Sequence, residues 1–293
     1  MAISMRKQIA QNKRNTAIIF VAFVLFIALI GALFSWLHND WTLVIIFTAV
    51  AMGYATIQYF LSGQLAILSS GAHEIKEADN PRYYRTVQTL ATEMHLPAPR
   101  IYIIEDAAPN AFASGRDPEH ARIAATTGLL DIMDDKELRA VIGHELSHVK
   151  NYDIRVSMIV FGLVSIIGLV ADFGLRILFY NDRDENENSP IGLLLVSITL
   201  VLSPVFATLA KLAISRQREY LADASSANAM NDSDSMINAL RKLETHARPM
   251  RQQNVATEGL FIANPLKKSV LSGLFSTHPP IEKRIERLEN AKK

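Results

Sequence analysis

His144, Glu145 and His148 stand in the spacing H-E-x-x-H, within the run His144-Glu145-Leu146-Ser147-His148. On a helix, positions i and i+4 share one face, so two imidazoles one turn apart can grip a single tetrahedral zinc. Glu145 then projects close enough to act on a zinc-bound water. The chemistry this pattern serves is hydrolysis. Zinc lowers the pKa of its water toward about 7 and polarises a carbonyl, while the glutamate takes the water's proton and returns it to the leaving amine.

Such residues need a rigid helix beneath them. Asp134 with Glu137 reads as a capping box, and Leu138, Val141, Ile142 and Val149 supply apolar positions at helical spacing around the histidines. A catalytic zinc also needs a third protein ligand, with a fourth position open for water. One arrangement uses a histidine six residues after the second, with a glycine between; Asn151 and Ile154 occupy those places and exclude it. The other takes a glutamate from a later helix. Glu219, in Arg216-Gln217-Arg218-Glu219-Tyr220-Leu221-Ala222-Asp223, is the best candidate. Asp223 lies one turn on and faces the same way, so it can accept a hydrogen bond from the far nitrogen of a ligating histidine and fix its tautomer.

The elements that carry these helices are membrane-embedded. The 293-residue chain is apolar in blocks, and its mean hydropathy of +0.15 is high for a soluble enzyme. Residues 16–37, 41–61, 156–180 and 190–215 are largely free of charge. Each is long enough to cross a hydrocarbon core of about 30 Å. The first follows Arg6, Lys7, Lys13 and Arg14 but has too long an apolar run, and no small-residue cleavage site, for a signal peptide; it reads as a retained anchor. Trp36, Trp41 and Tyr180 sit at segment ends, where amphipathic rings favour the interface.

The expected organisation is a basic N-terminus (1–15), a transmembrane hairpin (16–62), a catalytic part with the motif helix (63–155), a second hairpin (156–215) and a catalytic part with the third ligand (216–293). Lys and Arg concentrate in 1–15, 63–155 and 216–293, which places both termini and the active site in the cytoplasm. Two spans separate His148 from Glu219, an even number, so both return to one side. If the motif helix continues into the third span, the metal lies about 12 Å from the membrane boundary. The net charge of +1 gives no reason to expect a nucleic-acid partner, and the absence of cysteine rules out disulfides and a thiolate metal site.

Residues 63–155 read as an α+β unit. Asp79-Asn80-Pro81 caps a helix to about His95, residues 100–105 form a strand, and 122–129 form a second, weaker strand-like run. Between the strands, 110–115 is turn-rich. Extended substrate can add to an exposed sheet edge near 122–127 or 110–113. Asp172 and Arg176, one turn apart in the third span, read as an interfacial ion pair; Lys211 snorkels and Pro204 kinks the fourth span. His38, His73, His95, His120 and His246 lack ligand-like partners at helical spacing.

Five stretches make the match specific: Asn110-Ala111-Phe112-Ala113, Thr126-Thr127-Gly128-Leu129, Gly143 to His148, Arg218 to Asp223, and Thr277-His278-Pro279-Pro280 with Arg284. Through these the chain resembles the HtpX family of bacterial membrane zinc metallopeptidases, relatives of the CAAX prenyl proteases. Only 181–189 and 248–272 carry no recognisable signature. The resemblance implies a four-span α-helical membrane protein with a cytoplasmic α+β zinc metallopeptidase domain of the gluzincin type. It implies one zinc per chain held by His144, His148 and Glu219, with Glu145 as base and then acid. It also implies an endopeptidase of the bacterial inner membrane that removes misfolded or misassembled membrane proteins under stress, alongside other quality-control proteases. His278 is the expected partner of the oxyanion, with Arg284 as second choice and Asn110 as a further substrate contact. The rivals are a metal-binding scaffold without turnover, against which Glu145 speaks, and a prenyl-peptide processing protease, whose larger number of spans four segments do not support.

Overall fold

The computed structural model describes residues 2–180, 216–230, 232–252, 255–265 and 279–291. The fourth apolar stretch, Pro204, Lys211, the acidic loop 181–189 and His278 lie outside the described residues.

Two long helices open the chain, α1 (Ala2–His38) and α2 (Thr42–Ser69). Asn39 turns the chain between them with φ 52°, and the Asp40 carboxylate accepts from the Thr42 amide at 2.9 Å. The stretches Ile9–Leu29 and Val44–Ser69 are each long and apolar enough to cross a membrane. Their outer faces expose Ile18, Leu25, Leu29, Ile45 and Val50, a large apolar surface of the kind that marks a membrane or protein contact. On the inner face Ile19, Phe23, Ala51 and Ala55 pack against Val156, Ile159, Val160 and Leu163. Helix α1 takes in the basic residues from Ala2 onward, and α2 continues past position 62 to Ser69.

The α/β part follows. Strand β1 (His73–Glu74) precedes α3 (Pro81–Glu93), whose cap is Asn80, with its Oδ1 accepting from the Tyr83 amide at 3.0 Å and Pro81 in the first turn. Strands β2 (Arg100–Ile104), β3 (Ala111–Ser114) and β4 (Arg122–Thr126) complete a four-stranded sheet of order β1-β2-β4-β3. β2 and β4 run parallel, in register from Arg100 with Arg122 to Ile104 with Thr126; β3 and β4 are antiparallel. Alternation assigns the faces. Ile101 and Ile103 join Tyr83, Leu90, Leu138 and Ile142 in one core, whereas Tyr102 and Ile104 meet Ile67, Phe112, Met158 and Phe261 in another.

Here the structure departs from the sequence reading in two ways. The turn-rich 110–115 contains strand β3, because β4 offers it a pairing partner that local composition does not reveal. The run 122–129 splits, since the Thr126 hydroxyl accepts from the Leu129 amide at 3.1 Å and starts α4 (Thr127–Ile132). β4 is therefore internal, and 122–127 cannot serve as a sheet edge.

Helix α5 (Asp135–Lys150) carries the motif and begins in a complete capping box between Asp134 and Glu137. It does not run on into α6 (Asp153–Tyr180). The Asn151 and Tyr152 amides bond back to Ser147 and Val149, and Tyr152 turns the chain at φ 60°. Among the described residues the later helices are α7 (Arg216–Met230), α8 (Ser233–Thr245) and α9 (Ile281–Asn290). On α6, Asp172 accepts from the Arg176 guanidinium at 2.8 Å on an exposed face.

Candidate metal centre

Helix α7 reaches α5 through a close crossing at Gly143. A Cβ there would lie 2.8 Å from Ser226 Oγ, which donates to the Ala140 carbonyl at 2.7 Å. That approach brings Glu219 over the two histidines. His144 Nε2 lies 3.1 Å from His148 Nε2 and 3.6 Å from Glu219 Oε2, and His148 Nε2 lies 3.5 Å from Glu219 Oε1. Nitrogen and oxygen ligands about 2.0–2.2 Å from a tetrahedral zinc stand roughly 3.3–3.6 Å apart, so this triangle has the size of a zinc site.

The other ring nitrogens are held away from the centre. His144 Nδ1 pairs with Asp223 Oδ1 at 2.8 Å, and His148 Nδ1 pairs with Asp153 Oδ2 at 3.0 Å. Both tautomers are thereby set so that Nε2 presents a lone pair to the centre. Asp223 had been expected from the sequence; Asp153 had not. Its legible signal was an acid just after the motif, but it reaches His148 only because the chain breaks at Tyr152.

Charge fits a dication as well. Glu145, Glu219, Asp223 and Asp153 are all buried, and among the described residues the buried cations beside them are Arg218 and Arg284. With all four acids ionised, the carboxylates exceed the guanidiniums by two negative charges, which a divalent metal offsets. The electrostatics of the metal-free site agree. Burial lowers the pKa of His144, but the carboxylates of Asp223 and Glu219 outweigh it and raise the ring to about 9. Burial raises Asp223, and Arg284 and His144 outweigh that and bring it to about 2.

Arg284 is fully buried on α9, on the same face as Leu288. Its Nε and Nη2 donate to Asp223 at 2.9 and 2.7 Å, and its Nη1 reaches the Ile262 carbonyl at 3.4 Å. This guanidinium holds the buried Asp223 carboxylate, and its Nη2 also lies 3.4 Å from His144 Nδ1, beside the triangle. The Asn110 carboxamide donates to the Ala263 carbonyl at 2.8 Å and accepts from the Ala263 amide at 3.1 Å, clamping residues 262–263 onto β3.

Glu145, His148, Asp153, Arg218 and Glu219 line a cavity of about 30 Å³ together with Ala113, Gly259 and Leu260. That volume is enough to admit a water beside the triangle. Among the described residues, Asp117, Glu119 and His120 form a second group with metal-like spacing, yet they are partly or fully exposed and His120 simply pairs with Asp117 at 2.6 Å.

The model of Peptidase family M48 matches residues 77–292. The Protease HtpX homolog of Tropheryma whipplei (strain Twist) is 49% identical over 282 residues, covering 96% of each chain. The Protease HtpX homolog of Lactobacillus acidophilus is 43% identical over 295 residues, covering 97% of this chain and 99% of the relative. The crystal structure of S. mikatae Ste24p superposes with a TM-score of 0.50 at 19% identity, covering 98% of this chain and 67% of that one, a likeness of fold.

Proposed function

The chain belongs to peptidase family M48 and is a membrane-associated metalloprotease, and from that premise we propose that it is a zinc endopeptidase of the HExxH plus glutamate, gluzincin type. The observation that carries this reading is the buried triangle of His144 Nε2, His148 Nε2 and Glu219. When bound there, zinc supplies Lewis-acid activation of water and of the scissile carbonyl.

The chain's own residues do the rest. Asp223 and Asp153 hold the two imidazoles in the ligating tautomer, and Arg284 holds Asp223. Glu145, at the cavity wall, takes a proton onto its carboxylate and delivers it to the departing amine. His278 is proposed to face the oxyanion. An extended substrate pairs with β3 from Ala113 onward, since the Ile262 amide already bonds the Ala111 carbonyl at 3.0 Å.

We further propose four spans, with both termini and the metal centre on the cytoplasmic side of a bacterial inner membrane. Two long apolar helices and the distribution of Lys and Arg support that layout. Substrates are proposed to be misfolded or misassembled membrane proteins, a reading supported by kinship with the Protease HtpX homologs.

Chelation tests the metal requirement. The detergent-solubilised chain should cleave casein, lose that activity with a strong zinc chelator and regain it with added zinc. Zinc must displace the proton that His144 holds up to about pH 9 in the metal-free fold. Without metal, the protonated ring's contribution to stability is full below its unfolded pKa of 6.5 and fades as pH rises through about 9. Zinc affinity should accordingly rise between those values, by up to about tenfold per pH unit for one displaced proton. Casein cleavage that survives complete zinc removal would refute the assignment.

A further inference from the structure

The N-terminal end of α1 does more than lead into a membrane span. Along it Asn12, Thr16, Ile19 and Phe23 are buried, an i, i+4, i+7, i+11 stripe. Ile19 and Phe23 pack on α6, and Asn12 extends the stripe to the α5–α6 break. There its Nδ2 donates twice, to the Asn151 carbonyl at 2.9 Å and to Asp153 Oδ1 at 2.7 Å. The other oxygen of Asp153 holds His148 Nδ1 at 3.0 Å. Arg218 also faces Asp153, but at 3.7 Å. An unbroken chain of short hydrogen bonds thus runs from the first helix to a metal-binding imidazole. A primary amide suits the position, because its two N–H groups meet a carbonyl and a carboxylate at once. A carboxylate there would repel Asp153, and an apolar side chain would leave both acceptors without this donor.

We propose that Asn12 is a positioning residue for His148, acting through Asp153, so that retention of the metal depends on α1 being docked against the catalytic part. The inference rests on the reading of His148 as a zinc ligand. Groups that orient ligating histidines typically govern metal affinity by about 10–100-fold.

The test is the rate at which zinc passes from the full-length, zinc-loaded protein in detergent to an excess of chromogenic chelator. Wild type, Asn12→Leu, Asp153→Asn and the double variant are compared. Asn12→Leu should release zinc about 10–100-fold faster than wild type, and Asp153→Asn at least as fast. The double variant should exceed Asp153→Asn by no more than about twofold, because the two residues act in series. A helix anchor unrelated to the metal would give either unchanged release by Asn12→Leu or effects that multiply in the double variant, and each result overturns the proposal. Should the leucine variant fail to fold, Asn12→Ser, which keeps a polar side chain but loses the second N–H, reads the same rate. If wild type binds no zinc, the metal reading itself fails; if wild type retains zinc and Asn12→Leu releases it no faster, only this inference does.

Discussion

Glu145→Gln should lose at least about a hundredfold in the rate of casein cleavage while the zinc content stays at the wild-type level, because general acid–base catalysis typically contributes about 10²–10⁴-fold. Glutamine preserves the size of the side chain and removes only its ability to accept and return a proton. Glu145 is buried at the cavity wall and lies outside the His144, His148 and Glu219 triangle, so the metal-binding atoms are untouched. Parallel measurement of turnover and metal content separates the two roles. Loss of zinc together with activity would make Glu145 part of the metal-binding set, and unimpaired cleavage would remove it from the chemistry altogether.

Arg284→Leu should be the most damaging single change to stability. It strands the Asp223 carboxylate in the interior with its guanidinium partner gone, and breaking a buried ion pair in this way costs about 3–5 kcal/mol. For a domain of this size that corresponds to a fall of roughly 10 °C in the thermal midpoint. His144 loses the fixed partner of its Nδ1 at the same time. Adding Asp223→Leu to Arg284→Leu should restore part of the midpoint without restoring zinc, since the stranded charge is gone but the imidazole remains unheld. A midpoint within about 2 °C of wild type for Arg284→Leu would show that Asp223 does not depend on it.

Local pattern made much of this architecture legible. The capping box at Asp134 and Glu137, the Asn80-Pro81 start of α3 and the long apolar runs of α1 and α2 are set by neighbouring residues, and they stand in the structure where the sequence put them. The misses involve partners far apart in the chain. Ala111–Ser114 is a strand only because β4 lies beside it, and Tyr152 adopts a positive φ without being Gly or Asn. Asp153 therefore turned back toward His148 instead of continuing a helix away from it. Asn12, more than a hundred residues earlier, read as part of a basic N-terminus. The Arg284–Asp223 pairing has a local signal: Arg284 sits three residues after Ile281 and four before Leu288, on the face that α9 buries, and a buried arginine there demands an acid. Asp223 was the acid in hand.

The central claim is that one metal is shared between α5 and α7. It is tested most directly by elemental analysis of zinc in the purified wild-type chain and in Glu219→Ala. We expect about one zinc per wild-type chain and a small residual fraction in the variant, because two imidazoles alone do not complete the three-ligand set of a catalytic zinc. Full occupancy in Glu219→Ala would contradict the account and leave the triangle of His144, His148 and Glu219 without its third member.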